Sequence, residues 1–431
     1  MKEFITLTIE RLGINGEGIG HLNGYTIFAP GALPGEKVSV RLTEKKSRYA
    51  HAELVEILIR SSARREAPCP YFGRCGGCQL MHLDYLKQLE TKRQRVCDAL
   101  QRIGKLEGIE VAPCIPSPSS LAYRNKIQMP VAPGNPVRLG LYAQNSHDLV
   151  EINSCMIHCE LGDKVFQKVQ EVVKRAGEKI KHLLIKTAVS TNEALVIFVT
   201  HEKASAALSL MADQIIKALP EVKGVIHNLN SSSSNTILGT TFHTLAGSDC
   251  IEEKLCGLTF KVSPASFFQV NPRQAAQLYE KVAQFADLQG NETVLDAYCG
   301  VGTLSLILAQ KAQKVIGVES VADAIKDAKE NALKNKITNA TFICAKAEDA
   351  IKTLEEIDIA IINPPRKGCE MSFLESLAHL RPKGIVYISC DPATLARDLA
   401  LLCKRGFKVD AVVPLDMFPQ TAHVETIVKL I

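Results

Sequence analysis

At 431 residues, 46% hydrophobic and 23% charged, the chain has the composition of a soluble globular protein and the length of two or three domains. No apolar run reaches the ~18 residues of a membrane span, and the alternating start, Met1 to Arg11, contains no signal-type apolar core, so a cytoplasmic protein is expected. The net charge of +5 is uneven: residues 1–126 carry 19 Lys and Arg against 13 Asp and Glu, the remainder 32 against 33, which suits a polyanionic partner at the front of the chain.

Residues 1–60 read as a small all-β unit. Alternating stretches (Phe4 to Ile9, Tyr25 to Ala29, Lys37 to Leu42, His51 to Ile57) are punctuated by Gly13, Gly16-Glu-Gly18-Ile-Gly20, Asn23-Gly24 and Pro34-Gly35. A five-stranded barrel of the oligonucleotide-binding (OB) type fits, with Lys45-Lys46-Ser47-Arg48-Tyr49 as a basic, aromatic-tipped loop. Composition alone fits a barrel without a ligand equally well. In its Gly-x-Gly-Ile-Gly turn and its Pro-Gly-Glu-Lys-Val strand entry the segment resembles the TRAM domain, an RNA-binding appendage of RNA-modifying enzymes.

Fourteen cysteines without a secretion signal argue for metal binding or catalysis rather than disulfides. Three of them, Cys69, Cys75 and Cys78, fall within ten residues and are separated by glycines, a pattern of metal or cluster ligation. A fourth ligand must come from elsewhere; Cys155 is the first choice, with Cys159 and His158 as competitors. Spacing alone admits both zinc and iron–sulfur. Leu83 to Ile103 then reads as an amphipathic helix, with Leu86, Leu89, Val96, Ala99, Leu100 and Ile103 inward and Lys87, Lys92, Arg93, Arg95 and Arg102 outward. The Pro-rich stretch 112–120 reads as a linker. From 121 to about 280 strands alternate with helices, Lys164 to Ala176 and Ala204 to Ala218 being the clearer ones, and Ser231 to Ser234 reads as a polar loop tip.

From Leu288 the pattern becomes strictly β/α. Strands are expected at Thr293–Tyr298, Lys314–Glu319, Thr341–Cys344, Ile357–Ile362, Ile385–Ser389, Phe407–Val413 and Thr426–Leu430, the last two without a helix between them, which fits a doubly wound sheet with an antiparallel strand. Functional residues cluster at the expected strand ends. Cys390 ends one strand, Asn363-Pro-Pro-Arg366 another, Asp296-Ala-Tyr298-Cys-Gly300-Val-Gly302-Thr303 a third, and Glu319 a fourth. The glycines let a ligand approach the backbone, and Glu319, 23 residues after Asp296, sits where a carboxylate accepts ribose hydroxyls. The pattern lacks both the dinucleotide Gly-x-Gly-x-x-Gly and the phosphate-loop Gly-Lys-Ser/Thr, so S-adenosylmethionine is the expected ligand.

The set Ser266-Phe-Phe-Gln269-Val-Asn271, Asp296 to Gly302, Asn363-Pro-Pro-Arg366-x-Gly368, Ser389-Cys390-Asp-Pro-Ala-Thr394 and Asp416 to Glu425 resembles the RNA uracil-5-methyltransferases. With the TRAM-like barrel and the cysteine cluster, the chain is most similar to the bacterial 23S ribosomal RNA branch, since the tRNA-specific bacterial relatives generally lack both. The resemblance implies an α/β protein in three parts: an OB-fold/TRAM barrel (1–60), an α+β central domain with a [4Fe-4S] cluster on Cys69, Cys75, Cys78 and Cys155 (61–285), and a Rossmann-like methyltransferase domain (286–431). It implies methylation of carbon 5 of a uridine in 23S rRNA, with tRNA as the alternative substrate and a non-catalytic RNA-binding iron–sulfur protein as an alternative of another class. Cys390 is the implied nucleophile and Glu425 the base. Gln269, Tyr298, Gly300, Thr303, Glu319 and Asn363 are the implied cofactor contacts; Phe267 (or Phe268) stacks on the base, and Arg366 holds phosphate or braces the site. No obligate protein partner is implied. Two residues depart from the family pattern: Asn363 stands where Asp is commoner, and Asp391 where Asn is usual. Asp391 is expected to raise the Cys390 pKa unless Arg366 or Arg397 offsets it.

Overall fold

The computed structural model describes residues 4–134, 136–176, 179–232 and 236–431. Of the expected polar tip, Ser233 and Ser234 lie outside them. Among the described residues no helix is long and apolar enough to cross a membrane.

The N-terminal unit is a sheet of six strands, one more than expected, in the order Phe4–Thr8, Lys37–Lys45, Tyr49–Ile59, Tyr25–Ala29, Gly18–Leu22, Arg11–Leu12. The extra long strand is the glycine run 18–22, which reads as a turn in the sequence. Gly20 lies against the Thr8 carbonyl and Gly18 against that of Ala32, where any Cβ would collide, so these glycines serve close approach as the sheet curls. Leu7, Ile9, Ile27, Val38 and Val40 fill its core. Glu36, fully buried, closes the unit onto the next segment: it takes two hydrogen bonds from Arg64, at 2.6 and 2.8 Å, and one from the Leu33 amide at 2.8 Å.

The central sheet has seven strands, ordered Thr241–Gly247, Val222–Leu229, Glu193–Thr200, His182–Ala188, Lys126–Ala132, Arg138–Tyr142, Leu149–Glu151. The helices Glu160–Ala176 and Ala206–Ala218 contribute Val165, Phe166, Val169, Leu208 and Ile215 to one core with it. A hairpin, Ile251–Leu255 and Leu258–Val262, follows.

The C-terminal sheet comprises β1 (Thr293–Ala297), β2 (Lys314–Glu319), β3 (Ala340–Cys344), β4 (Ile359–Ile362), β5 (Gly384–Ser389), β6 (Val409–Leu415) and β7 (Glu425–Leu430). Its order is β3-β2-β1-β4-β5-β7-β6; the first five strands are parallel, and β7 runs antiparallel to both neighbours. The strand order reverses between β1 and β4, which opens a crevice at their carboxyl ends.

Segments from the middle of the chain complete this domain. In the helix Tyr85–Arg102, Val96, Ala99 and Leu100 share a core with Leu395, Leu399 and Val412. The expected inward face is wrong at its ends: Leu86 and Ile103 are 68% and 50% exposed, because the helix packs only through its middle turns. Lys92, expected outward, is 1% exposed and pairs with Asp416. Arg95, also expected outward, donates to the Ala422 carbonyl at 2.6 Å. The stretch 112–120 is likewise no free linker, since Val111 and Ile115 bridge to Val412 and Leu415 on the edge strand β6.

Candidate active site

The carboxyl ends of β1, β2, β4 and β5 gather most of the expected site. At the end of β1 the backbone turns through left-handed conformations at Tyr298 (φ 68°), Gly300 (φ 56°) and Gly302 (φ 78°). Their roles differ. A Cβ on Gly300 would meet open space, leaving its backbone approachable, whereas one on Gly302 would press on Ala328 and the Phe342 ring at 3.0 Å. Thr303 begins the helix behind this turn. Glu319 ends β2 and accepts from the Gly300 amide at 3.3 Å and the Val321 amide at 2.9 Å, so one carboxylate joins both strand tips. Beneath them Asp296 is buried; burial pushes its carboxyl up to about 7 against a hydrogen bond from Ser305. The Tyr298 ring meets Phe373 edge-on at 5.9 Å. Asn363, half-buried, continues β4, its amide 3.4 Å from the Ala297 carbonyl.

The loop before the helix Pro272–Ala286 brings in Gln269 and the two phenylalanines. Lys186, from the central sheet, donates to the carbonyls of Ser263 (2.8 Å) and Ser266 (2.7 Å), and Asn125 to that of Gln269 (3.2 Å). Phe267 is 66% exposed, while Phe268 packs against Phe260 with ring centroids 6.2 Å apart. Of the two, Phe267 is the more exposed.

Cys390 follows β5 and Glu425 begins β7. Ser389 pairs with Thr426 in this antiparallel ladder, so the next residue pair outward is Cys390 opposite Glu425, on one face of the sheet. Glu425 is 4% exposed; burial pushes its carboxyl up to about 8, with Arg366 pulling the other way. Burial, then the Glu425 charge, raises the Cys390 pKa, and Arg366 lowers it by its charge and a side-chain hydrogen bond. Asp391 is otherwise engaged. Its carboxylate caps the helix Pro392–Lys404, accepting from Ala393 (2.9 Å) and Thr394 (3.0 Å). The signal was in the sequence, an Asp followed by Pro at a helix start. Arg397, the other cation expected to offset it, pairs with Asp398 instead, at 2.7 Å.

The basic neighbours Lys92, Arg95 and Arg124 carry no sequence signal. Lys92, a lysine on a polar stripe, bonds Asp416 and, at 3.1 Å, the Phe418 carbonyl. Around His423 stand Arg366, Arg95, Lys92 and Arg124, and burial together with these charges lowers its pKa to about 4, so the imidazole is neutral.

The expected thiol ligands lie in the central region. Cys69, Cys75, Cys78 and Cys155 line one cavity walled by Tyr71, Phe72, Met81 and Ile157. The competitors lie apart. Cys159 is bonded to the Thr187 hydroxyl at 3.0 Å, and the His158 ring is buried against Gly162. Among the described residues no three His, Cys, Asp or Glu side chains converge on a single ion position.

Residues 84–431 match the family model of tRNA (Uracil-5-)-methyltransferase, and residues 3–55 match the TRAM domain. Uncharacterized RNA methyltransferases of Clostridium tetani (41% identical, over 98% of this chain and 95% of the relative) and Listeria innocua (40%, over 100% and 98%) are similar along their whole length. A crystal structure of Pyrococcus abyssi tRNA (uracil-54, C5)-methyltransferase with S-adenosyl-L-homocysteine superposes with a TM-score of 0.80 at 29% identity, over 99% of this chain and 100% of that one. The match over four fifths of the chain and the relatives along its length show the lineage: the chain belongs to the tRNA (uracil-5-)-methyltransferase family, with an N-terminal TRAM domain.

Proposed function

We propose that the protein is a cytoplasmic enzyme that methylates carbon 5 of a uridine in 23S rRNA through a covalent adduct between Cys390 and carbon 6 of the uracil. The observation that supports this reading is Cys390 one residue beyond the Ser389–Thr426 pair, within reach of the Glu425 charge, at the same sheet end as Gly300, Glu319 and Asn363.

Carbon 5 of uracil is too weak a nucleophile to take a methyl group unaided. The Cys390 thiolate, favoured by Arg366, adds at carbon 6, and the displaced electron pair forms an enolate whose carbon 5 attacks the methyl. S-adenosylmethionine supplies that methyl as an electrophile on a sulfonium, whose sulfur keeps the bonding pair. Glu425 as carboxylate then removes the carbon-5 proton; the double bond re-forms and expels the Cys390 thiolate. Gln269, Tyr298, Gly300, Thr303, Glu319 and Asn363 would hold the donor. Phe267, exposed at the rim, would stack on the uracil once it leaves its strand.

The four thiols would hold a [4Fe-4S] cluster. Zinc draws four sulfurs to about 3.8 Å of one another, while a cluster needs room between them; thiols around an apolar-walled cavity suit the latter.

A tRNA substrate is favoured by one specific observation: the Pyrococcus protein, whose title gives tRNA uracil-54, superposes over 99% of this chain, so this architecture also occurs in a tRNA enzyme. Mapping 5-methyluridine in rRNA and tRNA from cells lacking the gene separates the two. Loss from 23S rRNA supports the first reading, loss from tRNA replaces it, and a wild-type protein that forms no adduct with any 5-fluorouridine RNA overturns the enzymatic reading.

A further inference from the structure

Five residues before Glu425, the backbone passes through a left-handed conformation at Gln420 (φ 68°), a side chain only 7% exposed. A non-glycine residue is held there only where its surroundings over-determine it. Here they do, because all four polar groups of Gln420 are engaged, by three separate stretches of chain. Its carbonyl accepts from the amides of Gln79 and Leu80, each at 2.9 Å. Its amide donates to Gln88 Oε1 at 3.1 Å, and its own Oε1 accepts from Gln88 Nε2 at 3.0 Å. Its Nε2 donates to the Ser120 carbonyl at 3.2 Å.

The three partner segments are informative. Gln79 and Leu80 directly follow Cys78, and the Gln79 side chain donates back to the Gly76 carbonyl at 2.8 Å, so the thiol loop ends on Gln420. Gln88 lies on the helix that also supplies Lys92 to Asp416 and Arg95 to Ala422, on either side of Gln420. Ser120 closes the stretch that runs along β6. The 416–424 segment, which has no regular structure of its own, is thereby pinned just before it delivers Glu425 to its place opposite Cys390. The nucleophile is held differently, by β5 and the capped helix after it.

We infer that Gln420 is a positioning residue for the base: it aligns Glu425 for removal of the carbon-5 proton without affecting addition of Cys390. This rests on the roles proposed for Cys390 and Glu425. The two roles separate experimentally, because 5-fluorouridine RNA carries no removable proton at carbon 5 and its adduct accumulates without a base.

The test compares Gln420→Gly, which keeps the left-handed backbone and removes both side-chain bonds, with Gln88→Met, which leaves Gln420 intact and removes its partner. Both are expected to lower kcat on ordinary RNA about 10- to 100-fold, to leave the rate of adduct formation on 5-fluorouridine RNA within about twofold, and to accumulate the adduct on ordinary RNA. A fall in both rates together overturns the inference, as does an unchanged kcat. Should one variant fail to fold, the other decides. Absence of the adduct in the wild type instead removes the catalytic reading itself.

Discussion

The Arg366 charge lowers the pKa of both Cys390 and Glu425, so one cation serves two groups that both resist ionising. Burial disfavours the charged form of each, and each charge would disfavour the other. Arg366→Gln is therefore expected to raise the Cys390 pKa. Alkylation of the thiol by iodoacetamide near pH 7 should slow by on the order of tenfold and recover at higher pH; an unchanged pH profile would remove Arg366 from this role.

For Glu425 the sign follows from its raised pKa of about 8. The carboxylate is the active form, so turnover is expected to climb with pH through that region. Glu425→Gln should lower turnover by about 10²–10⁴-fold and trap the adduct on ordinary uridine. Stability moves the opposite way. A carboxyl whose folded pKa is raised from 4.5 to about 8 costs nothing below pH 4.5 and penalises the fold progressively up to pH 8. Glu425→Gln should thus melt at the wild-type temperature near pH 4 and above it at pH 8.

The thiol cavity separates the proposed cluster ligands from their neighbours. Cys155→Ser is expected to abolish the iron content and brown colour of anaerobically purified protein, whereas Cys159→Ser, which alters only a bond to Thr187, should keep both. A colourless wild type containing zinc would overturn the cluster assignment.

Lys92 and Asp416 are 1% and 0% exposed and 324 residues apart in sequence. Removing one partner leaves the other charge buried, so Lys92→Met is expected to destabilise the protein by about 3–5 kcal/mol. Adding Asp416→Asn should recover much of the loss, as a double-mutant cycle of denaturation midpoints would show.

Phe267 and Phe268 give opposite expectations despite being neighbours. Phe267→Ala should weaken RNA binding with no change in melting temperature, and Phe268→Ala should lower the melting temperature.

What the sequence determined by itself is what depends on neighbours along the chain. Short apolar runs alternating with helical periods specified the seven strands of the C-terminal sheet. Residues such as Cys390, Asn363 and Glu319 were legible because each ends such a run, and a parallel sheet exposes those ends together. Even the cap at Asp391 is local, an Asp before Pro at a helix start. What only the tertiary structure decided concerns groups whose environment is made by distant chain. A lysine on a polar stripe is buried at Lys92 because Asp416 compensates its charge, and Gln420 tolerates a left-handed backbone because four remote residues bond it. Cys155 rather than Cys159 joins the thiols, and Phe267 is far more exposed than the half-buried Phe268, for the same reason: burial and partnership are set by three-dimensional packing, and no local periodicity encodes them.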